Sequence, residues 1–314
     1  MSNKNLSEVI IIGGGIAAHT AALYTARAEL KPIVLSAVAP DQLSLTTLVE
    51  NFPGFPEGVL GPELVANAKK QAEKFGANYA SAEATAFEIK KDFFEITADG
   101  KIYQALCVVI ATGASARRLN IAGEDKYFGR GVSTCATCDA AFYRDREAVV
   151  VGGGDSAMEE ALALYKFAKK VTIIHRRNEF KASKIMRDRV LSLKDKIEII
   201  WGAEVTEVLG DGKLVTGLKL KNLKTEEASE IKTNGLFLAI GHVPNTKIFA
   251  GKIELDELGY VVTDKRAKTN VPGIFAAGDA ADHYFRQAIT SAGSGCQAAM
   301  EAERYIEKLK AGNK

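Results

Sequence analysis

The first apolar stretch, Val9-Ile10-Ile11-Ile12, is β-branched and unbroken, the pattern of a parallel strand buried on both faces. It runs into Gly13-Gly14-Gly15. A helical stretch follows to about Arg27, and Ile33-Val34-Leu35 reads as a second strand. The same order recurs: Ala148 to Val151 leads into Gly152-Gly153-Gly154-Asp155-Ser156-Ala157, then a helical segment to about Ala168, then Val171 to Ile174. Leu106 to Gly113 and Gly273 to Asp279 read as further buried strands, each ending in a turn.

These patterns predict an α/β fold with two Rossmann-like dinucleotide-binding domains. One must be closed by residues near both ends of the chain, so the second is inserted into it. The expected bounds are 1–116 with 245–314 for the first domain and 117–244 for the second. The crossings fall near Ala114 to Arg118 and His242 to Thr246, where Gly-His-Val-Pro-Asn has the turn chemistry of a linker.

Each small residue of the first unit has a task. In G-x-G-x-x-A, Gly13 makes the tight turn, Gly15 admits a pyrophosphate close to the backbone, and Ala18 lets the helix pack against the strand. The phosphate charge rests on the helix N-terminus. Two such units in one chain imply two dinucleotides. After the second unit comes His175-Arg176-Arg177-Asn178-Glu179-Phe180-Lys181, where the usual acid is replaced by forked cations that suit a 2′-phosphate. This site is expected to hold NADPH rather than NADH. The equivalent place in the first unit is Ser36. Asp279, between a strand and a glycine turn, is placed either to hold a ribityl or ribose hydroxyl or to cap a helix.

Composition narrows the class without changing this picture. The 314 residues suit two domains, and 47% hydrophobic with 25% charged residues is globular. A formal net charge of +2 gives no bulk attraction to nucleic acid or an anionic membrane. No apolar run reaches the roughly 18 residues of a span, and the first residues lack signal-peptide character. Four cysteines make no disulfide scaffold, so a reducing cytoplasm is the expected location.

In that setting Cys135-Ala136-Thr137-Cys138-Asp139 is catalytic or metal-binding. A dithiol that delivers electrons needs an attacking thiolate, a leaving thiol and a proton donor or acceptor, for which Asp139 is the candidate. Zinc, the rival, needs about four ligands, and His19, His175, His242 and His283 are scattered. Cys107 falls in a buried strand pattern and Cys296 on a small-residue helix, so both read as structural. Flavin chemistry bridges a nicotinamide hydride and a dithiol, which makes the other dinucleotide FAD.

The whole set of motifs resembles the low-molecular-weight thioredoxin reductases of the pyridine nucleotide-disulfide oxidoreductase family. It comprises Gly13-x-Gly15-x-x-Ala18, Glu50 to Phe55 (Glu-Asn-Phe-Pro-Gly-Phe), Ala111-Thr112-Gly113-Ala114, Cys135 to Asp139, Gly152 to Ala157, His175-Arg176-Arg177, Ala277-Gly278-Asp279 and Arg286-Gln287-Ala288. The resemblance implies a homodimer that reduces thioredoxin or a thioredoxin-like protein. It implies that Cys138 exchanges electrons with the flavin, Cys135 attacks the partner disulfide and Asp139 handles the proton. Gln42, Asn51, Thr112, Gly113, Asp279, Arg286, Gln287 and Ala288 match positions around FAD. Gly152, Gly154, Asp155, Ser156, His175, Arg176, Arg177 and Lys181 match positions around NADPH. The family also alternates between two domain arrangements. Departures are Pro40-Asp41 for Gly-Gly, Ala140 for glycine, Ala122 for proline and Lys181 for arginine, which keeps the charge and loses the fork. A ferredoxin or flavodoxin reductase of similar fold, or a non-catalytic redox-sensing flavoprotein, are the alternatives.

Overall fold

The computed structural model describes residues 6–38, 41–46 and 48–312. Two compact units emerge, Met1–Ser115 with Val243–Lys314 and Ala116–His242. The first opens with β1 (Leu6–Ile12), α1 (Ile16–Arg27), β2 (Ile33–Ser36), β3 (Leu48–Val49), β4 (Val59–Leu60) and α2 (Gly61–Lys74). It continues through β5 (Asn78–Ser81), β6 (Ala84–Ile89), β7 (Phe94–Ala98), β8 (Lys101–Ile110) and the crossing strand β9 (Ala114–Ala116). The second unit holds α3 (Glu124–Tyr127), β10 (Val132–Ser133), α4 (Ala136–Asp139), β11 (Glu147–Gly152), α5 (Asp155–Tyr165) and β12 (Lys170–His175). After these come α6 (Lys184–Ser192), β13 (Ile197–Trp201), β14 (Ala203–Gly210), β15 (Val215–Asn222), β16 (Ala228–Lys232) and β17 (Gly235–Ala239). The chain returns through β18 (His242–Pro244) to β19 (Ile274–Ala276) and the long α7 (Ala288–Gly312).

In the first unit β5, β2, β1, β8 and β19 run parallel, in that order. β8 is shared: residues 101–105 pair antiparallel with β7, and residues 108–110 pair parallel with β19. The unbroken apolar run of β1 serves two cores. Val9 and Ile11 pack with the small residues of α1 and α7, while Ile10 and Ile12 pack with Phe87, Ile96 and Phe249 on the opposite face. Each such side chain contributes about 1.5–3 kcal/mol by burial. The two helices approach so closely that a Cβ on Gly295 would lie 2.3 Å from the Ala17 carbonyl oxygen.

The second unit is a five-stranded parallel sheet, β10-β17-β11-β12-β13, beside an antiparallel β14-β15-β16 sheet. Val150 and Ile173 face Ala157, Met158 and Leu164, whereas Val149 and Ile174 face Val205, Leu218 and Leu220. Two local expectations change. The α5 helix stops at Tyr165 rather than near Ala168, and His242-Val243-Pro244 is a short strand paired with β9 rather than a turn. Among the described residues no helix is long and apolar enough to cross a membrane.

Candidate functional site

Strand register sets the first nucleotide edge. Ile12 pairs with Leu35 and Ile110, and Ile110 pairs with Ala276, so three parallel strands end at one level beside β2. The residues emerging there are Gly13 to Gly15, Ser36, Ala111 to Gly113 and Ala277 to Asp279, at the carboxyl edge where open α/β sheets bind ligands. Gly13 takes φ +138°, and a Cβ on it would lie 2.0 Å from the Ala111 carbonyl oxygen. Gly15 caps α1 with ordinary extended backbone (φ −90°, ψ −176°) and no side-chain hydrogen bond, which leaves the helix N–H groups free to meet an anion. Ala18 is wholly buried.

Around this edge the structure joins Asn51 to Gln287, Nδ2 donating to Oε1 at 3.4 Å. Thr112 Oγ1 is buried without a partner. Ser291 Oγ donates to the Asp279 carboxylate at 3.0 Å, and burial pushes that carboxyl up to about 6. Asp279 therefore does not cap α7; it is held inside the edge by a side chain one turn into that helix. Arg286 adopts φ +49° just before Gln287 and Ala288. Gln42 is exposed in its loop. The neighbouring departure Asp41 turns its carboxylate inward to accept from Leu43 N (3.0 Å) and Ser44 N (3.2 Å), while Pro40 lies outside the described residues.

The second edge repeats the layout of the first. Val151 aligns with Ile174 and Leu238, so Gly152 to Gly154, His175 to Arg177 and Ala239 to Gly241 emerge together. A Cβ on Gly152 (φ +157°) would lie 2.3 Å from the Ala239 carbonyl oxygen, the counterpart of Gly13 against Ala111. Gly154 caps α5 at φ −96°, ψ −178°, again without a side-chain bond. His175 lies across Gly153, boxed by Phe180 and Trp201, with Nε2 buried and unpartnered. Burial and then the nearby Arg177 and Arg176 push its pKa down. The basic loop is tied back to the glycines: Lys181 N donates to Gly153 O at 2.7 Å, and Ser183 N and Oγ donate to Asp155 at 3.0 and 2.7 Å. Arg176, Arg177 and Lys181 are exposed there, and Ser156 sits in the first turn of α5.

The cysteine pair emerges from the same edge, because β10 runs parallel to β17 (Ser133 opposite Phe237) and Cys135 comes two residues after its end. Cys135 and Cys138 form a disulfide with Cα atoms 5.4 Å apart. Cys135 caps the single turn α4, and its sulfur accepts from Cys138 N at 3.2 Å. Its own N–H donates to Ser133 Oγ at 3.1 Å. Burial pushes the Asp139 carboxyl up, against a hydrogen bond with Ser133. Ala140 is buried in ordinary helical backbone (φ −57°, ψ −32°), so alanine sits there without strain. Cys107 is fully buried and Cys296 partly so.

Sequence reasoning missed β17 as the strand that completes the second edge and Glu160, whose carboxylate accepts from Ala136 N. Ala239-Ile240-Gly241 at the end of β17, matching Ala111-Thr112-Gly113, was the available signal for the first.

The family model of pyridine nucleotide-disulphide oxidoreductases matches residues 7–295. Over 310 residues the chain is 48% identical to a thioredoxin reductase of Streptomyces coelicolor, covering 98% of this chain and 96% of that one. The chain belongs to the thioredoxin reductase family. A thioredoxin reductase of Schizosaccharomyces pombe is likewise 48% identical, over 96% of this chain and 98% of its own. The solved thioredoxin reductase of Streptococcus pyogenes superposes with a TM-score of 0.93 at 38% identity, over 98% of this chain and 100% of that one. That of Giardia duodenalis gives 0.91 at 41%, over 97% and 100%. The expected two-domain Rossmann-like α/β fold of a thioredoxin reductase is thus the observed one.

Proposed function

We propose that the chain is an NADPH-dependent, FAD-containing thioredoxin-disulfide reductase, active as a homodimer in a reducing cytoplasm, that passes electrons through Cys135 and Cys138 to a thioredoxin-like protein. The observation that carries this reading is the Cys135–Cys138 disulfide emerging from the sheet edge that also presents a nucleotide fingerprint. The residues fit both nucleotides. Thr112 Oγ1 and His175 Nε2 are buried polar atoms that lack partners within the protein, and a Cβ at Gly154 meets nothing within 4 Å. Gly13, Gly15, Ala18, Gln42, Asn51, Thr112, Gly113, Asp279, Arg286, Gln287 and Ala288 would hold FAD. Gly152, Gly154, Asp155, Ser156, His175, Arg176, Arg177 and Lys181 would hold NADPH, the cations gripping the 2′-phosphate.

Held by these residues, the nucleotides would supply two electrons, as a hydride, for the Cys135–Cys138 bond. Cys138 receives them and the intramolecular bond opens. The Cys135 thiolate attacks the partner disulfide and breaks it, forming a mixed disulfide. Cys138 sulfur then attacks Cys135 sulfur, restoring the internal bond and releasing the partner as a dithiol. Asp139, kept neutral to higher pH by burial, gives a proton to the departing sulfur and takes it back.

The test is NADPH oxidation coupled to thioredoxin and insulin reduction, repeated with NADH and with Arg176→Ala and Arg177→Ala. Preference for NADPH should fall in the variants. An unchanged preference overturns the phosphate assignment.

A further inference from the structure

The first turn after Cys135 is tied to the helix of the second nucleotide edge. Ala136 is fully buried, and its N–H donates to the Glu160 carboxylate on α5. Cys135 N–H is taken by Ser133 Oγ at 3.1 Å, which leaves Cys138 N, at 3.2 Å, as the backbone donor on the Cys135 sulfur. Open N–H groups at the start of a helical turn stabilise a thiolate, and a carboxylate among them opposes it. The titratable groups packed around this turn are Asp139 on α4, Tyr143 on the turn after it and Glu160 on α5, with Arg146 acting on Tyr143. Glu160 lies five residues from Asp155, about 7.5 Å along α5. One rigid helix thus carries both the tether of the basic loop and the anchor of the dithiol turn.

We infer that Glu160 is a positioning residue that seats the Cys135 turn on α5 and, through its negative charge, keeps the reduced Cys135 sulfur protonated until a partner disulfide arrives. This rests on the reading of Cys135 and Cys138 as a pair that cycles between disulfide and dithiol. Opening the bond adds two electrons. It takes up two protons when both sulfurs are thiols and one when Cys135 remains a thiolate.

Dithiothreitol should open the Cys135–Cys138 bond of the unaltered protein, its thiols closing to a cyclic disulfide, and in Cys138→Ser protein, which has no such bond, it keeps Cys135 a free thiol. Iodoacetamide alkylation of Cys135 is then followed against pH by mass spectrometry of the Gly131–Arg144 peptide, in Cys138→Ser protein with and without Glu160→Gln. Glutamine retains an acceptor for Ala136 N–H and removes the charge, so a merely structural role would leave the pH profile in place. The acid dissociation constant of Cys135 should rise about tenfold in Glu160→Gln, one pKa unit. Glu160→Ala carries the same expectation if the glutamine variant does not fold. A folded variant of either kind with Cys135 titrating as in its parent overturns the inference. Failure of dithiothreitol to open the bond in the unaltered protein overturns the cycling reading and the inference with it.

Discussion

Replacing Gly154 by alanine separates what the fold needs from what a nucleotide needs. Gly154 has ordinary extended backbone, and a methyl there meets no protein atom within 4 Å. Folding stability should therefore change by no more than about 0.4–1 kcal/mol, upward, from reduced freedom of the unfolded chain. A pyrophosphate resting on the α5 N-terminus, as proposed above, would occupy that same space. Forcing a methyl into such a contact costs about 1–3 kcal/mol, which is roughly a 5- to 140-fold weaker Kd at about 1.4 kcal/mol per tenfold. Urea unfolding and calorimetric titration with NADPH measure the two quantities on one preparation. A folded variant that binds NADPH as tightly as the parent would refute the placement of the phosphates.

Other substitutions probe different links. Gly13→Ala should destabilise the first unit by about 1–3 kcal/mol or more, because its Cβ falls 2.0 Å from the Ala111 carbonyl oxygen; thermal unfolding with flavin content as a second readout checks this. Burial alone would raise the Glu301 carboxyl, but hydrogen bonds from Arg266, Lys268 and Arg304 outweigh it and hold it at about 2. Its stabilisation is therefore present above about pH 4.5 and lost as pH falls toward 2. Glu301→Gln should cost about 1–3 kcal/mol at neutral pH and flatten the acid limb of a denaturation series. Asp139→Asn should slow thioredoxin reduction by about 10²-fold or more. It should also remove the loss of rate that accompanies ionisation of Asp139 as pH rises, as a rate–pH profile will show.

Both nucleotide units were legible because their signals are local. An unbroken β-branched run, a glycine turn and a small-residue helix can be read from neighbours alone, and Gly13 and Gly152 are forced to be glycine by strand ends that pair at the same level. What stayed hidden depends on distant partners. Ala239-Ile240-Gly241 could have marked β17 as a strand of the second edge, but no local pattern places it between β10 and β11, where it brings the cysteine turn to that edge. The antiparallel β14-β15-β16 sheet carries mixed patterning because it covers Val149 and Ile174 on one face only. Asp41 read only as a departure from the family's glycine, whereas its oxygens are used by Leu43 N and Ser44 N. Glu160 reads as one more acid on a helix until the fold sets it against Ala136.

Electrons are proposed to leave the chain through Cys135 and Cys138. The direct measurement follows NADPH oxidation with thioredoxin as acceptor, for the unaltered protein and for Cys138→Ser. The variant should keep its nucleotides and lose thioredoxin reduction. Thioredoxin reduced by Cys138→Ser at the unaltered rate would contradict it.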